Sequence, residues 1–315
     1  MPSSVAVAQG PAASEVKKRA VRGERKTASA EAKRALSGRF GSFIAVLIAV
    51  FWTIPTFGLF VTSFRPEAQI KSSGWWTFFA NPNFTLENYK TVLYGAKSQG
   101  DLASYFINSL VITVPATIAP LLLATMAAYA FSVLKWKGRD TVFVIVFALQ
   151  IVPLQMALIP LLRVFSGTAV SNAFPFLSIW VAHTIFALPL AIFLLHNFMA
   201  EVPKELVEAA QVDGAGHVKT FVAVMLPLMV PAIASFAIFQ FLWVWNDLLV
   251  GLTFSGGMEL TQPLTARLAS MAGSRGQDWH LLTAGAFVSM IIPLVVFLTL
   301  QRYFVRGLMA GSVKG

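Results

Sequence analysis

The chain has 315 residues, of which 57% are hydrophobic and 12% charged, with a mean hydropathy of +0.70. That is too apolar for an ordinary soluble domain and assigns the protein to a bilayer. A formal charge of +10 raises nucleic acid as a partner, and the absence of cysteine excludes disulfides and thiolate metal sites, so the placement of the basic residues must decide what the charge is for.

Much of that charge sits at the start. Lys17, Lys18, Arg19, Arg22, Arg25, Lys26, Lys33, Arg34 and Arg39 crowd residues 1–41, interleaved with Glu15, Glu24 and Glu31, and no aromatic residue precedes Phe40. Such a segment cannot bury a core; it is expected to be a solvated cytoplasmic tail, disordered or a surface helix, touching anionic lipid and not nucleic acid. It is too long, and the cleavage site after it too poor, for a removable signal peptide.

A helix needs about 20 mostly apolar residues to cross the hydrocarbon core, because its backbone must satisfy itself there. Six stretches qualify, at about 42–62, 105–133, 141–163, 174–198, 225–253 and 283–303, which predicts an all-α membrane domain over residues 42–315. Between the first two spans, residues 63–104 carry Trp75 and Trp76, suited to an interfacial belt, and a turn signal at Asn81-Pro82-Asn83. Asn108 in the second span, then Gln150 and Gln155 in the third, are amides in apolar surroundings and are expected to face a partner helix or a cavity. Prolines 115, 120, 153, 160, 189, 227, 231 and 293 are expected to break or kink helices and so expose backbone to an aqueous path. His183, His196, His217 and His280 form no i, i+4 metal pair, so no metal site is expected.

After the fourth span comes a polar elbow, residues 200–224. Pro203 suits a first helical turn, Glu205 and Glu208 lie toward its N-terminal half, and Leu206, Val207 and Ala210 give it an apolar side. Asp213-Gly214 and Gly216 permit a reversal, with Gly214 expected in the left-handed region, before helix resumes at His217. Ala209 and Ala210 are small enough for a partner's backbone to approach. The fifth span then opens at Leu226-Pro227 and carries Gln240, Asn246 and Asp247, the last expected near the outer surface as part of an external gate. Residues 254–282, with several glycines and Pro263, predict an exposed, adaptable loop.

The positive-inside rule orients these segments. With the N-terminus in the cytoplasm, 17 of the 24 Lys and Arg residues fall inside and 7 outside, which places both termini and the elbow on the cytoplasmic side. No G-x-x-x-x-G-K-[ST], H-E-x-x-H or G-x-S-x-G sequence occurs, so the chain is expected to be no enzyme and to bind no ATP itself. A secondary transporter would usually show buried carboxylates for ion coupling, and an intramembrane enzyme a catalytic constellation; neither is found.

Glu208-Ala209-Ala210, Gly214, Val224 and Leu226-Pro227 resemble the E-A-A-x3-G-x9-I-x-L-P loop of binding-protein-dependent ABC importer permeases, with only the Ile replaced. Beyond the loop, Asn108-Ser109-Leu110, Ala127 to Phe131, Ile151-Val152-Pro153, Phe84 to Tyr89 and Phe241 to Asp247 look like carbohydrate-type permeases. The ending resembles the second permease of the maltose/trehalose, or α-glucoside, type. That resemblance implies a type I importer permease fold of six transmembrane helices in the bacterial cytoplasmic (inner) membrane, importing a carbohydrate or another solute such as a glucosylated osmolyte or polyol. It implies a heterodimer with a second permease, two ATPase subunits that hold ATP and Mg, and a solute-binding protein. By the same resemblance Glu205, Glu208, Ala209, Ala210, Asp213, Gly214, Gly216, Leu226 and Pro227 couple to the ATPase, and Gly311, Ser312, Val313, Lys314 and Gly315 contact it. Gln262, Pro263, Thr265, Asp278 and Trp279 would reach the binding protein.

Overall fold

The computed structural model describes residues 38–95, 101–165, 173–256, 260–272 and 278–310, with side chains to residue 301. The basic tail before residue 38 and the C-terminal residues 311–315 lie outside the described residues. No strand occurs among the described residues. The chain divides into two units at Val61–Thr62. The first contributes most of α1 (Arg39–Ser63), an apolar helix whose side chains, Phe51 and Trp52 among them, are largely exposed in the single chain.

The second unit begins with a small platform: α2 (Glu67–Ser72), a 3-10 turn (Trp75–Phe79) and α3 (Glu87–Tyr94). Its centre is Arg65, 1% exposed, whose guanidinium donates to the Gln69 and Ser73 carbonyls and to the Ser73 and Thr77 hydroxyls. A fork of donors suits such a set of oxygens better than a lysine would, and it gathers the C-terminal end of α2. Asn88 on α3 completes the platform by donating to the carbonyls of Ser63 and Arg65, both at 2.9 Å. At its rim a hydrogen bond from Lys71 (2.5 Å), aided by His280 at 3.7 Å, holds the Glu67 carboxyl below the usual carboxylate range.

The bundle follows as α4 (Leu102–Ser132), α5 (Arg139–Ala148), α6 (Leu154–Phe165), α7 (Leu177–Ala200), α8 (Lys204–Val212), α9 (His217–Thr220), α10 (Leu226–Trp245), α11 (Leu249–Ser255), α12 (Leu264–Ala272) and α13 (Trp279–Ala310). A π turn, Phe221–Met225, joins α9 to α10 without a break in the helix. Ala116, Ala124 and Ala128 of α4 and Ala182, Ala187 and Ala191 of α7 are all buried to 1% exposure or less. Apolar burial gives no drive between helices in lipid, so close backbone packing through small residues carries the association. Phe236, Met229 and Met225 on the α10 side complete the core cluster at one end, while Tyr105, Trp245, Leu264 and Met271 form another.

Three sequence expectations change here. The third span is not one helix: α5 with its 3-10 extension, and α6, meet at 102° around Val152-Pro153. Five helices are long and apolar enough to cross a membrane, six if that bent pair counts as one. The fifth span starts earlier, at His217, and ends at Trp245, short of the expected 253. The stretch 254–282, expected to be an exposed loop, contains α12 where described, with Thr261, Leu264 and Ala266 buried.

Not all of the prolines break their helices. Only Pro153 marks a sharp bend, whereas Pro115, Pro120, Pro160, Pro189, Pro231 and Pro293 sit inside continuous helices. A proline has no N–H for the carbonyl four residues earlier. For three of them another helix supplies the donor: Trp180 Nε1 to Val111 O (2.9 Å) before Pro115, Gln240 Nε2 to Ala116 O (3.2 Å) before Pro120, and Trp245 Nε1 to Ser289 O (3.1 Å) before Pro293. The prolines thus create acceptors that tie α4 to α7 and α10, and α10 to α13. Gln240→Leu is expected to cost about 1 kcal/mol, read as a Tm lower by about 2–4 °C in detergent. In a Pro120→Ala background the same change should cost far less, because residue 120 then donates to Ala116 itself. Equal losses in both backgrounds would contradict this account.

Candidate functional site

The elbow projects from one end of α7 and α10. Pro203 (φ −56°, ψ 128°) stands at the N-cap of α8, just ahead of the first turn where it was expected, and Asp213 is the C-cap. Gly214 has φ +79°, the left-handed value the sequence required, and the reversal is closed by Gly214 N–H to Gln211 O (3.0 Å) and Ala215 N–H to Ala210 O (2.9 Å). Gly216, by contrast, is extended (φ −72°, ψ 169°) and requires no glycine on conformational grounds.

Burial divides α8 into two faces. Val207 and Ala210 are half-buried, and Val207, with Val202 and Phe221, packs on the core cluster holding Met199 and Met225. Glu205, Glu208, Ala209 and Val212 are exposed at i, i+3, i+4 and i+7, Val212 to 87%, and so form one continuous outward stripe. Leu206, expected on the apolar side, is instead 43% exposed. Leu226 and Pro227 lie outside the stripe, directly after the π turn, and position the limb that returns to the bundle. A cleft of about 1210 Å³ separates the elbow from the connector between α4 and α5, with Val207, Glu208 and Lys204 on one side and Leu134, Trp136 and Arg139 on the other.

At the opposite end of α4, other predicted residues meet. Asn108 Nδ2 donates to Gln262 O (3.1 Å), the Leu264 N–H donates to Ser109 Oγ (2.8 Å), and Thr265 Oγ1 donates to the main-chain oxygen of Asp247 (2.5 Å). Pro263 is buried against Gly251. The Asp247 carboxylate accepts the Gly251 N–H (2.9 Å), capping α11, and stands 3.8 Å from His183 Nε2. The pairing of His183 with Asp247 escaped the sequence reading, because no local spacing relates residues 64 apart.

The remaining candidates scatter. Gln240 is buried between α10 and α4, with Oε1 lacking a hydrogen-bond partner among the described residues. Asn246 bonds its own helix at Leu242 O (2.7 Å) and is exposed in the single chain. Gln150 and Gln155 flank the bend and are exposed in the single chain. Asp278 and Trp279 lead into α13, Trp279 being 46% exposed. No group of three or more His, Asp or Glu suited to a metal occurs among the described residues.

Comparison with known proteins agrees with this architecture. Residues 120–309 match the family profile of the binding-protein-dependent transport system inner membrane component. An osmoprotective compounds uptake permease of Synechocystis is 54% identical over 276 residues, covering 86% of this chain and 91% of that protein. An alpha-glucoside transport system permease of Rhizobium meliloti is 48% identical, covering 81% and 67%. A chain from the crystal structure of a bacterial ABC transporter involved in alginate import superposes with a TM-score of 0.65 at 19% identity, covering 84% of this chain and 96% of that one.

Proposed function

This chain belongs to the family of inner membrane components of binding-protein-dependent transport systems, and we propose that it imports a carbohydrate, an α-glucoside or a glucosylated osmolyte, by alternating access, driven through the elbow by separate ATPase subunits. It is a multi-pass protein of the cytoplasmic membrane and a non-catalytic permease subunit of an ABC importer of the sugar type. ATP and Mg then belong to two partner ATPases, while a second permease completes the pathway and a solute-binding protein delivers the substrate. A small α-glucoside or glucosylated osmolyte fits the likeness to both an osmoprotective compounds uptake permease and an alpha-glucoside permease.

The observation that carries the coupling reading is the outward stripe of α8. Two carboxylates, an alanine and an exposed valine are presented together, held from behind by Val202 and Val207 and redirected by a left-handed glycine. Moving a two-state cavity from 1:99 to 99:1 takes about 5.5 kcal/mol of differential binding. Nucleotide-driven closure of the ATPases supplies that only through a rigid element, the role proposed for α8, whose Val207 packs on the core cluster.

Glu208→Lys inverts a charge at the centre of the stripe without touching the core. Co-purification of the ATPase is expected to fall at least tenfold, with ATP-dependent uptake lost and membrane insertion unchanged. Wild-type co-purification and uptake would refute the assignment. For the substrate, calorimetry of the cognate binding protein against maltose, trehalose and a glucosylated polyol should give binding to one of them.

A further inference from the structure

The returning limb of the elbow is gripped by a residue outside the E-A-A loop. Tyr129, near the C-terminal end of α4 and 6% exposed, donates its hydroxyl to the main-chain oxygen of His217 (3.3 Å) and lies 3.5 Å from that residue's Nδ1. Its ring meets Phe221 edge-on, with centroids 5.2 Å apart. His217 and Phe221 are an i, i+4 pair, so one buried side chain holds both ends of a single turn.

The next residues are the π turn, Phe221–Met225. Such a turn departs from the regular hydrogen-bond ladder and is one of the places where helices kink. A push on α8 that reached this turn unbraced would be absorbed there. Tyr129 sits immediately ahead of it, on a helix of 31 residues whose other end carries Asn108 and Ser109, the residues that fasten Gln262 and Leu264. About 20 residues of helix, roughly 30 Å, separate the two attachments.

We propose that Tyr129 is a positioning residue, a strut that passes displacement of the elbow into α4 and along it to the 260–272 segment. This rests on the reading of α8 as the surface the ATPase pushes. Because the chain has no cysteine, a pair of nitroxides can be attached at Gln211→Cys on α8, outside the outward stripe, and Ala269→Cys on α12, both exposed positions. The experiment measures their separation by pulsed electron resonance in the assembled transporter, nucleotide-free and trapped with ATP and vanadate.

The labelled parent chain should show a change of about 2 Å or more, the size of helix shifts in switching transitions. Tyr129→Phe should at least halve that change while ATPase co-purification and ATP hydrolysis persist. His217→Ala should leave it intact, since the acceptor is a main-chain oxygen. No change in the parent, an undiminished change in Tyr129→Phe, loss of the ATPase from that variant, or an equal defect in His217→Ala would each overturn the strut. Failure of the elbow reading would be seen separately, as retention of the ATPase by Glu208→Lys.

Discussion

Gly214→Val is expected to lower ATP-dependent uptake at least tenfold while leaving insertion of the chain intact. The cause is backbone geometry and not size. A Cβ at Gly214 would meet nothing within 4 Å, but φ there is +79°. An L-residue in that region costs about 1–2 kcal/mol, and a β-branched one more, because its Cβ crowds its own carbonyl. The turn would relax instead, breaking the Gly214 and Ala215 N–H bonds that close it and turning the outward stripe of α8 away from its direction. Gly214→Asn offers the control: asparagine tolerates the left-handed region, so uptake should remain within about twofold of the unmodified chain. Equal damage from Asn and Val would show that the backbone argument is wrong.

Gly251→Leu should be comparably severe at the opposite end, and with a different signature. A Cβ at residue 251 would stand 2.6 Å from Pro263 Cγ and 3.2 Å from its Cδ. A proline ring cannot rotate away, so either α11 or the 260–272 segment has to move, at about 1–3 kcal/mol for overpacking. Pro263 lies between the two residues that α4 holds, Gln262 through Asn108 and Leu264 through Ser109, so its displacement loosens both bonds. Stimulation of ATP hydrolysis by the binding protein should fall at least tenfold, with the ATPase still co-purifying, unlike the loss at the elbow. Gly251→Ala brings the same Cβ and should share the defect, and adding Pro263→Gly removes the colliding ring atoms and should recover most of the stimulation. No recovery would mean that something other than this contact holds the segment.

Local chemistry made much of this visible in the sequence. Long apolar runs marked five helices able to cross, and a glycine four residues after Ala210 foretold a left-handed reversal found at Gly214. What escaped depends on partners distant in sequence. Pro153 and Pro120 look alike along the chain, yet the first accompanies a bend of 102° and the second lies in a continuous helix, where Gln240 across the interface takes the carbonyl that Pro120 frees. The 254–282 stretch reads as loop from its glycines and Pro263, but four residues of it are pinned by Asn108, Ser109, Asp247 and Gly251. Arg65, one cation among 24 in the sequence, is fully buried only because Gln69, Ser73 and Thr77 turn their oxygens toward it.

One experiment bears most directly on how this subunit is driven: a photo-reactive thiol label at Ala209→Cys, the sole cysteine of the assembled chain, with cross-links mapped across the transporter. The account predicts covalent attachment to an ATPase subunit, and protection of that thiol from a membrane-impermeant reagent added outside intact cells. Modification from outside, or no cross-link to the ATPase with or without nucleotide, would contradict it.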